Sequence, residues 1–342
     1  MSTKAGERPQ ARGGFRLAPL AGLAAAGLLV VWVSLATGPV ALGAGDVLAA
    51  LLGRADALTN TIVLEIRLPR LLLALAIGAG LGCAGAALQG YLRNPLAEPA
   101  LLGASNAAAL GAVIAIYYGL SAAVPLALPL LACGFALGAM ALLLLLTRGS
   151  RGSLGLILSG IALSSVFGAL ISLLLNLSPN PFAAMEIAFW LLGSLDDRSF
   201  THVALALPPI LAGLALLLWD RRAFDALSLG EETAQSLGFD LARVRVRVIG
   251  GVALAVGASV AVAGSIGFLG LVVPHMARLW LGARPSRLLL PSAALGAVLL
   301  ACADSLVRVF PSTNELKLGV VTALVGAPFL IHLLHAMHRT GR

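Results

Sequence analysis

Charge is what this sequence has least of. Only 11% of its 342 residues are Asp, Glu, Lys or Arg, against about a quarter in soluble domains. The chain is 59% hydrophobic and its mean hydropathy is +0.99. A water-soluble fold of this length would have too little polar surface to cover itself. Lipid is the solvent that fits. At about 20 apolar residues per crossing, the length allows about ten helices with short loops.

Cysteine is scarce too. Cys83, Cys133 and Cys302 each lie in an apolar run among Gly and Ala, which gives neither a disulfide framework nor metal-ligand spacing. Acidic residues are nearly missing from the apolar runs. Asp304 falls near the end of the ninth, and Glu65, Glu98 and Glu315 fall near helix ends. Carriers coupled to an ion gradient usually keep ionisable groups inside their spans, so such coupling is the weaker reading. The phosphate-cradling pattern G-x-x-x-x-G-K-[ST] is absent. The chain is therefore expected to be no enzyme and to hold no cofactor, with ATP and magnesium bound by a separate ATPase if transport is active.

The apolar runs place helices near 17–37, 70–91, 99–118, 123–147, 153–175, 203–220, 243–264, 268–282, 287–308 and 316–337. The first follows a basic stretch (Lys4, Arg8, Arg12, Arg16), but it is longer than a signal-peptide core, so it reads as a retained span. With the N-terminus in the cytoplasm, only Arg54, Arg67, Arg70, Arg198, Arg308 and Lys317 of the 23 basic residues fall on the far side. That bias is the positive-inside pattern. It predicts both termini in the cytoplasm of a multi-pass inner-membrane protein, and it accounts for the net charge of +8 without nucleic acid. The expected organisation is a cytoplasmic tail over 1–16 and one membrane domain over 17–338, with a cytoplasmic loop over 221–243.

Leu73 to Ala86 reads LALAIGAGLGCAGA and Val252 to Ser265 reads VALAVGASVAVAGS, with Pro95 and Pro274 at the same offset. The copies fall in helices 2 and 7 of the ten, so they cross in opposite directions. This predicts an inverted repeat, frequent among transporters. Gly78 and Gly82 form a GxxxG, a pattern that lets helix backbones approach closely in lipid.

Within the 221–243 loop, Ser228-Leu-Gly-Glu231 fits a capping box, and Gly238 suits a left-handed C-terminal position. A short helix is predicted over Leu229 to Leu237. Ala234 and Leu237 share one face, and Glu231, Glu232 and Gln235 occupy much of the rest. It reads either as a docking helix or as a solvated connector. Arg67-Leu-Pro-Arg70 opens helix 2, where two cations gain nothing from the macrodipole. They either snorkel to headgroups or capture carboxylates of an extracytoplasmic partner. Arg93 to Pro99 reads as a helix–helix turn, with Asn94 capping and Pro95 in the first helical turn. His275 reads as a packing residue, and His332, His335 and His338 as late-helix histidines rather than a metal site.

Taken together, RLPR at 67–70, RNPLAEPALLGAS at 93–105, FWLLGSL at 189–195, LGEETAQSLG at 229–238, GFLGLVVPHMAR at 267–278, ADSLVR at 303–308 and ELKLGVVTALVGAP at 315–328 resemble the permease subunits of ABC importers for iron–siderophore complexes, haem and vitamin B12 (FecCD-type, BtuC-like). The resemblance covers roughly Thr61 to Leu334. It implies an all-α fold of ten helices per subunit, working as a homodimer with a separate ATPase and an extracytoplasmic substrate-binding protein. It implies that Arg67, Arg70 and Arg308 receive glutamates of that binding protein. It also implies that Leu229, Gly230, Glu231, Ala234, Leu237 and Gly238 seat against the ATPase. Lys317 departs from the family, which usually has proline there. The alternative outside this family is an ion-coupled secondary carrier.

Overall fold

The computed structural model describes residues 17–124, 126–149, 154–309 and 316–339. The tail 1–16, Arg151 and Glu315 lie outside it, as does the His338 side chain. Among the described residues every regular element is helical. The elements are α1 (Leu17–Ala36), α2 (Ala44–Leu51), α3 (Ala57–Asn60), α4 (Leu68–Leu92), α5 (Ala104–Tyr117), α6 (Leu120–Ala123), α7 (Ala127–Leu146), α8 (Leu154–Asn176), α9 (Pro181–Leu191), α10 (Phe200–Trp219), α11 (Arg221–Leu227), α12 (Glu231–Ser236), α13 (Leu241–Ala263), α14 (Leu269–Leu281), α15 (Pro285–Val309) and α16 (Leu318–Arg339). A π-helical stretch, Thr61–Arg67, joins α3 to α4, so 57–92 runs as one apolar rod.

All ten predicted spans carry a helix, but two are half-length. α5 has 14 residues and α14 has 13, about 20 Å each at 1.5 Å per residue. That is short of the roughly 30 Å hydrocarbon core. The chain completes those crossings with non-helical or tightly wound backbone, 93–103 before α5 and 264–268 before α14. Both half-helices begin inside the bundle. Pro99 packs on Gly270, and Gly270 in turn presses on Gly85 in the second half of α4. The turn expected over Arg93 to Pro99 is present as far as Glu98, though its details differ. Arg93 ends α4 in the left-handed region, Asn94 Oδ1 accepts the Leu96 N–H at 2.9 Å, and Pro99 rather than Pro95 opens the next helical turn.

The packing obeys the inverted repeat. α4 lies on α15 and α14, and its counterpart α13 lies on α7 and α5. Gly78 and Gly257 stand at the repeat offset and do the same work. A Cβ at Gly78 would strike the Gly296 carbonyl of α15, and one at Gly257 would meet Ala136 of α7 at 2.7 Å. Gly82 meets the Ser292 carbonyl one turn on, so the GxxxG packs backbone to backbone. Lipid tails give two apolar helices no reason to exchange water for each other. Close van der Waals contact at small residues is what joins them.

Candidate functional site

One end of the bundle gathers the start of α4 and the ends of α1 and α15. Three arginines there are buried rather than displayed. Arg67 is 4% exposed and donates to the carbonyls of Leu35 at 2.7 Å, Ala36 at 2.8 Å and Val40. These carbonyls lie at and just beyond the end of α1, where intrahelical partners run out and the dipole is negative. The Arg308 side chain, 4% exposed, donates to the Ser34 and Thr37 carbonyls at 2.9 Å and to Ser34 Oγ at 2.7 Å. Arg70 donates from Nε to Asp304 Oδ1 at 2.9 Å and from Nη1 to Asp196 Oδ1 at 3.2 Å. Asp304, 1% exposed, also faces Arg308 Nε at 3.2 Å.

The sequence places Arg67, Arg70 and Arg308 on a docking surface. The structure brings all three to one end, as that reading requires, but spends their guanidiniums on clamping α1, α4, α15 and the 194–198 loop together. Asp304 and Asp196, on which the cluster turns, were not singled out for this role. Asp304 had one sequence signal, its position four residues before Arg308 on one helix face.

At the opposite end α11 and α12 form an elbow between α10 and α13. Helix α11 was not expected. Its signal lies in Ala223, Phe224 and Leu227, an apolar face at helical spacing. Phe224 is fully buried and packs against Gly90 near the end of α4. The predicted coupling helix starts later than expected, at Glu231 instead of Leu229. Ser228 ends α11, its Oγ donating to the Asp225 carbonyl at 2.6 Å, and the N-cap is Gly230 at φ +116°. The capping-box pattern fails because the chain needs that glycine-only turn between the two helices. Gly238 takes the left-handed position, φ +89°. Ala234 is fully buried, whereas Leu229 and Leu237 are 69% and 61% exposed. Ala234 and Leu237 therefore do not share a face. One anchors the elbow and the other is presented outward.

The elbow is fastened to the spans. Glu231 lies 3.8 Å from Arg93 at the end of α4. Asp225 accepts the Ser286 N–H at 2.9 Å and its hydroxyl at 2.6 Å at the start of α15. Arg247 of α13 bonds Asp220 at 2.6 Å, and Arg245 reaches Tyr91 Oη at 3.1 Å and the Thr147 carbonyl at 3.2 Å. These bonds tie the elbow to α4, α13 and α15.

Between the two ends the half-helices meet. Glu98, just before α5, accepts the Phe268 N–H at 2.9 Å, and Phe268 opens α14 from the left-handed region, φ +67°. Gln89 of α4 donates to the Gly270 and Leu271 carbonyls at 3.4 Å and accepts from Arg278 at 2.5 Å. Polar groups at this depth hold backbone that lacks helical partners. The sequence reading placed Glu98 at a helix end, correctly, but that end is inside the bundle.

Among the described residues no group of three His, Cys, Asp or Glu side chains could hold a metal. His275 packs edge-on against Phe329 with ring centroids 5.7 Å apart, as a packing residue would. Its Nδ1 has no hydrogen-bond partner among the described residues.

An all-α bundle of apolar helices, two inverted halves that meet inside it and an elbow locked to the span ends define the class: a membrane permease. The chain belongs to the FecCD transport family, whose model matches residues 26–336. It is 42% identical over 285 residues to the vitamin B12 import system permease protein BtuC of Vibrio cholerae, covering 83% of this chain and 85% of that one. It is 38% identical over 331 residues to the ferric enterobactin transport system permease protein FepD of Escherichia coli, covering 93% and 97%. Among solved structures, an inward-facing conformation described as of the metal-chelate type of ABC transporter superposes with a TM-score of 0.84 at 33% identity, over 94% of this chain and 99% of that one.

Proposed function

We propose that this chain is the transmembrane subunit of an ABC importer that carries a metal chelate (an iron–siderophore complex, haem or cobalamin) inward across the cytoplasmic membrane. The observation that carries the proposal is the elbow. Leu229 and Leu237 stand exposed on an elbow that buried Phe224 fixes to the end of α4 and that Asp220 and Asp225 tie to α13 and α15. An apolar, anchored projection on the more basic side suits a groove on a separate ATPase subunit. Closure of two ATPase copies would then tilt the spans of two copies of this chain about a shared axis. ATP and magnesium would be held by that partner.

The positive-inside bias supports placing the elbow and both termini in the cytoplasm. The arginine end then faces outward, where an extracytoplasmic binding protein delivers the cargo. The clamp shapes that face. Arg67, Arg70 and Arg308 would meet a partner's glutamates only by exchanging bonds they already make. An ion-coupled carrier has less to work with here, since Asp304 sits between two arginines and Glu98 accepts a backbone N–H.

The test is Leu229→Asp with Leu237→Asp. Substrate-stimulated ATP hydrolysis by the assembled complex should fall at least about tenfold, with the chain still folded in detergent. Unchanged stimulation would remove the coupling role.

A further inference from the structure

A cleft distinct from the elbow tip opens beside the first turns of α15. It encloses 940 Å³ and is lined by Arg221, Arg222, Arg284 and Arg287, with Asp225 the one acid in its wall. Asp225 is already engaged by the Ser286 N–H and hydroxyl, and Arg284 lies 3.7 Å from it. Arg221, Arg222 and Arg287 are exposed and form no ion pair among the described residues. The cleft thus keeps a positive surplus that the fold does not consume. Its remaining wall, Leu290, Pro291 and Ala294, continues up the same helix into the span, and Leu290 is 54% exposed. The last residue of α10, Trp219, is 75% exposed at this end of the bundle, as indoles are at a headgroup layer.

We propose that this cleft is a binding site for the headgroup of an anionic phospholipid, with the phosphodiester held by Arg222 and Arg287 and an acyl chain lying along Leu290 and Ala294. Guanidinium forks match phosphate oxygens in pairs. Basic pockets between spans take anionic headgroups, and each basic residue near such a surface contributes about a fivefold gain in affinity. The apolar wall selects a lipid over a soluble acid, because a soluble ligand gains nothing from Leu290 or Ala294.

The experiment is native mass spectrometry of the purified full chain, titrated separately with phosphatidylglycerol, phosphatidylcholine of the same chains, and inorganic phosphate. The wild-type chain should retain phosphatidylglycerol at least about tenfold over phosphatidylcholine. Arg222→Gln with Arg287→Gln should lower that retention roughly 25-fold at two arginines. Arg243→Gln, at the same end but outside the cleft, should leave it unchanged, and thermal unfolding without lipid should match in all three. Equal retention by the double variant, equal loss in Arg243→Gln, or phosphate displacing the lipid at equal concentration would overturn the site. So would loss of ATPase association with lipid retention intact, which would assign the arginines to a protein partner.

Discussion

Arg70 and Asp304 lie 234 positions apart in sequence and 2.9 Å apart in the fold. The pair joins the start of α4 to the end of α15, the two helices whose glycines press backbone to backbone farther along. Asp304 is 1% exposed and serves Arg308 as well. Removing one partner of a buried pair strands the remaining charge, typically at about 3–5 kcal/mol.

Asp304→Ala should therefore lower the yield and thermal stability of the purified chain, because it removes the buried carboxylate that Arg70 and Arg308 share. Asp304→Asn, which keeps an acceptor for Arg70, should be milder. Scanning fluorimetry in detergent reads both. An Asp304→Ala chain as stable as wild type would show that the cluster is not a clamp.

Arg67 offers a contrast between clamping and docking. Arg67→Ala leaves the carbonyls of Leu35 and Ala36 without donors and should release the end of α1. Proteolysis or hydrogen exchange over 35–43 should rise by about an order of magnitude, with no binding protein present. A change seen only when a binding protein is added would restore a purely docking role.

Gly78→Val drives its side chain into the Gly296 backbone, which a Cβ alone already strikes, and should sharply lower folded yield, since overpacking typically costs about 1–3 kcal/mol and occasionally more. Gly168→Ala meets nothing within 4 Å and should be neutral or stabilising by about 0.5–1 kcal/mol. Equal tolerance of both changes would remove the close α4–α15 contact.

Glu98→Ala orphans the Phe268 N–H inside the bundle, a loss of about 1–3 kcal/mol, whereas Glu98→Gln keeps an acceptor oxygen. Transport and thermal stability should fall together for Ala and stay near wild type for Gln. A Gln variant as defective as Ala would mean that the charge itself matters.

Much of the fold was legible because lipid imposes a single rule, one apolar run per crossing. That rule locates a helix in each of the ten predicted spans. It does not show that α5 and α14 begin inside the bundle, because Pro-Ala-Leu-Leu-Gly before α5 is as apolar as the helix that follows. Nor does it show α9, whose Phe-Ala-Ala-Met-Glu-Ile run is too short to count as a span. Arg67 reads as an exposed cation because no string displays the carbonyls at the end of α1, some thirty residues away. At the elbow, Ser228 and Glu231 had the spacing of a cap. Only the fold reveals that Gly230 must turn the chain first.

The whole account rests on a separate ATPase driving this chain. The direct measurement is uptake of radiolabelled ferric siderophore, haem and cobalamin into proteoliposomes holding the chain together with its ATPase and binding protein. One of the three chelates should accumulate only when ATP is present on the ATPase side, and the Leu229→Asp/Leu237→Asp chain should fail to accumulate it. Accumulation driven by a proton or sodium gradient, with the ATPase left out, would contradict the account.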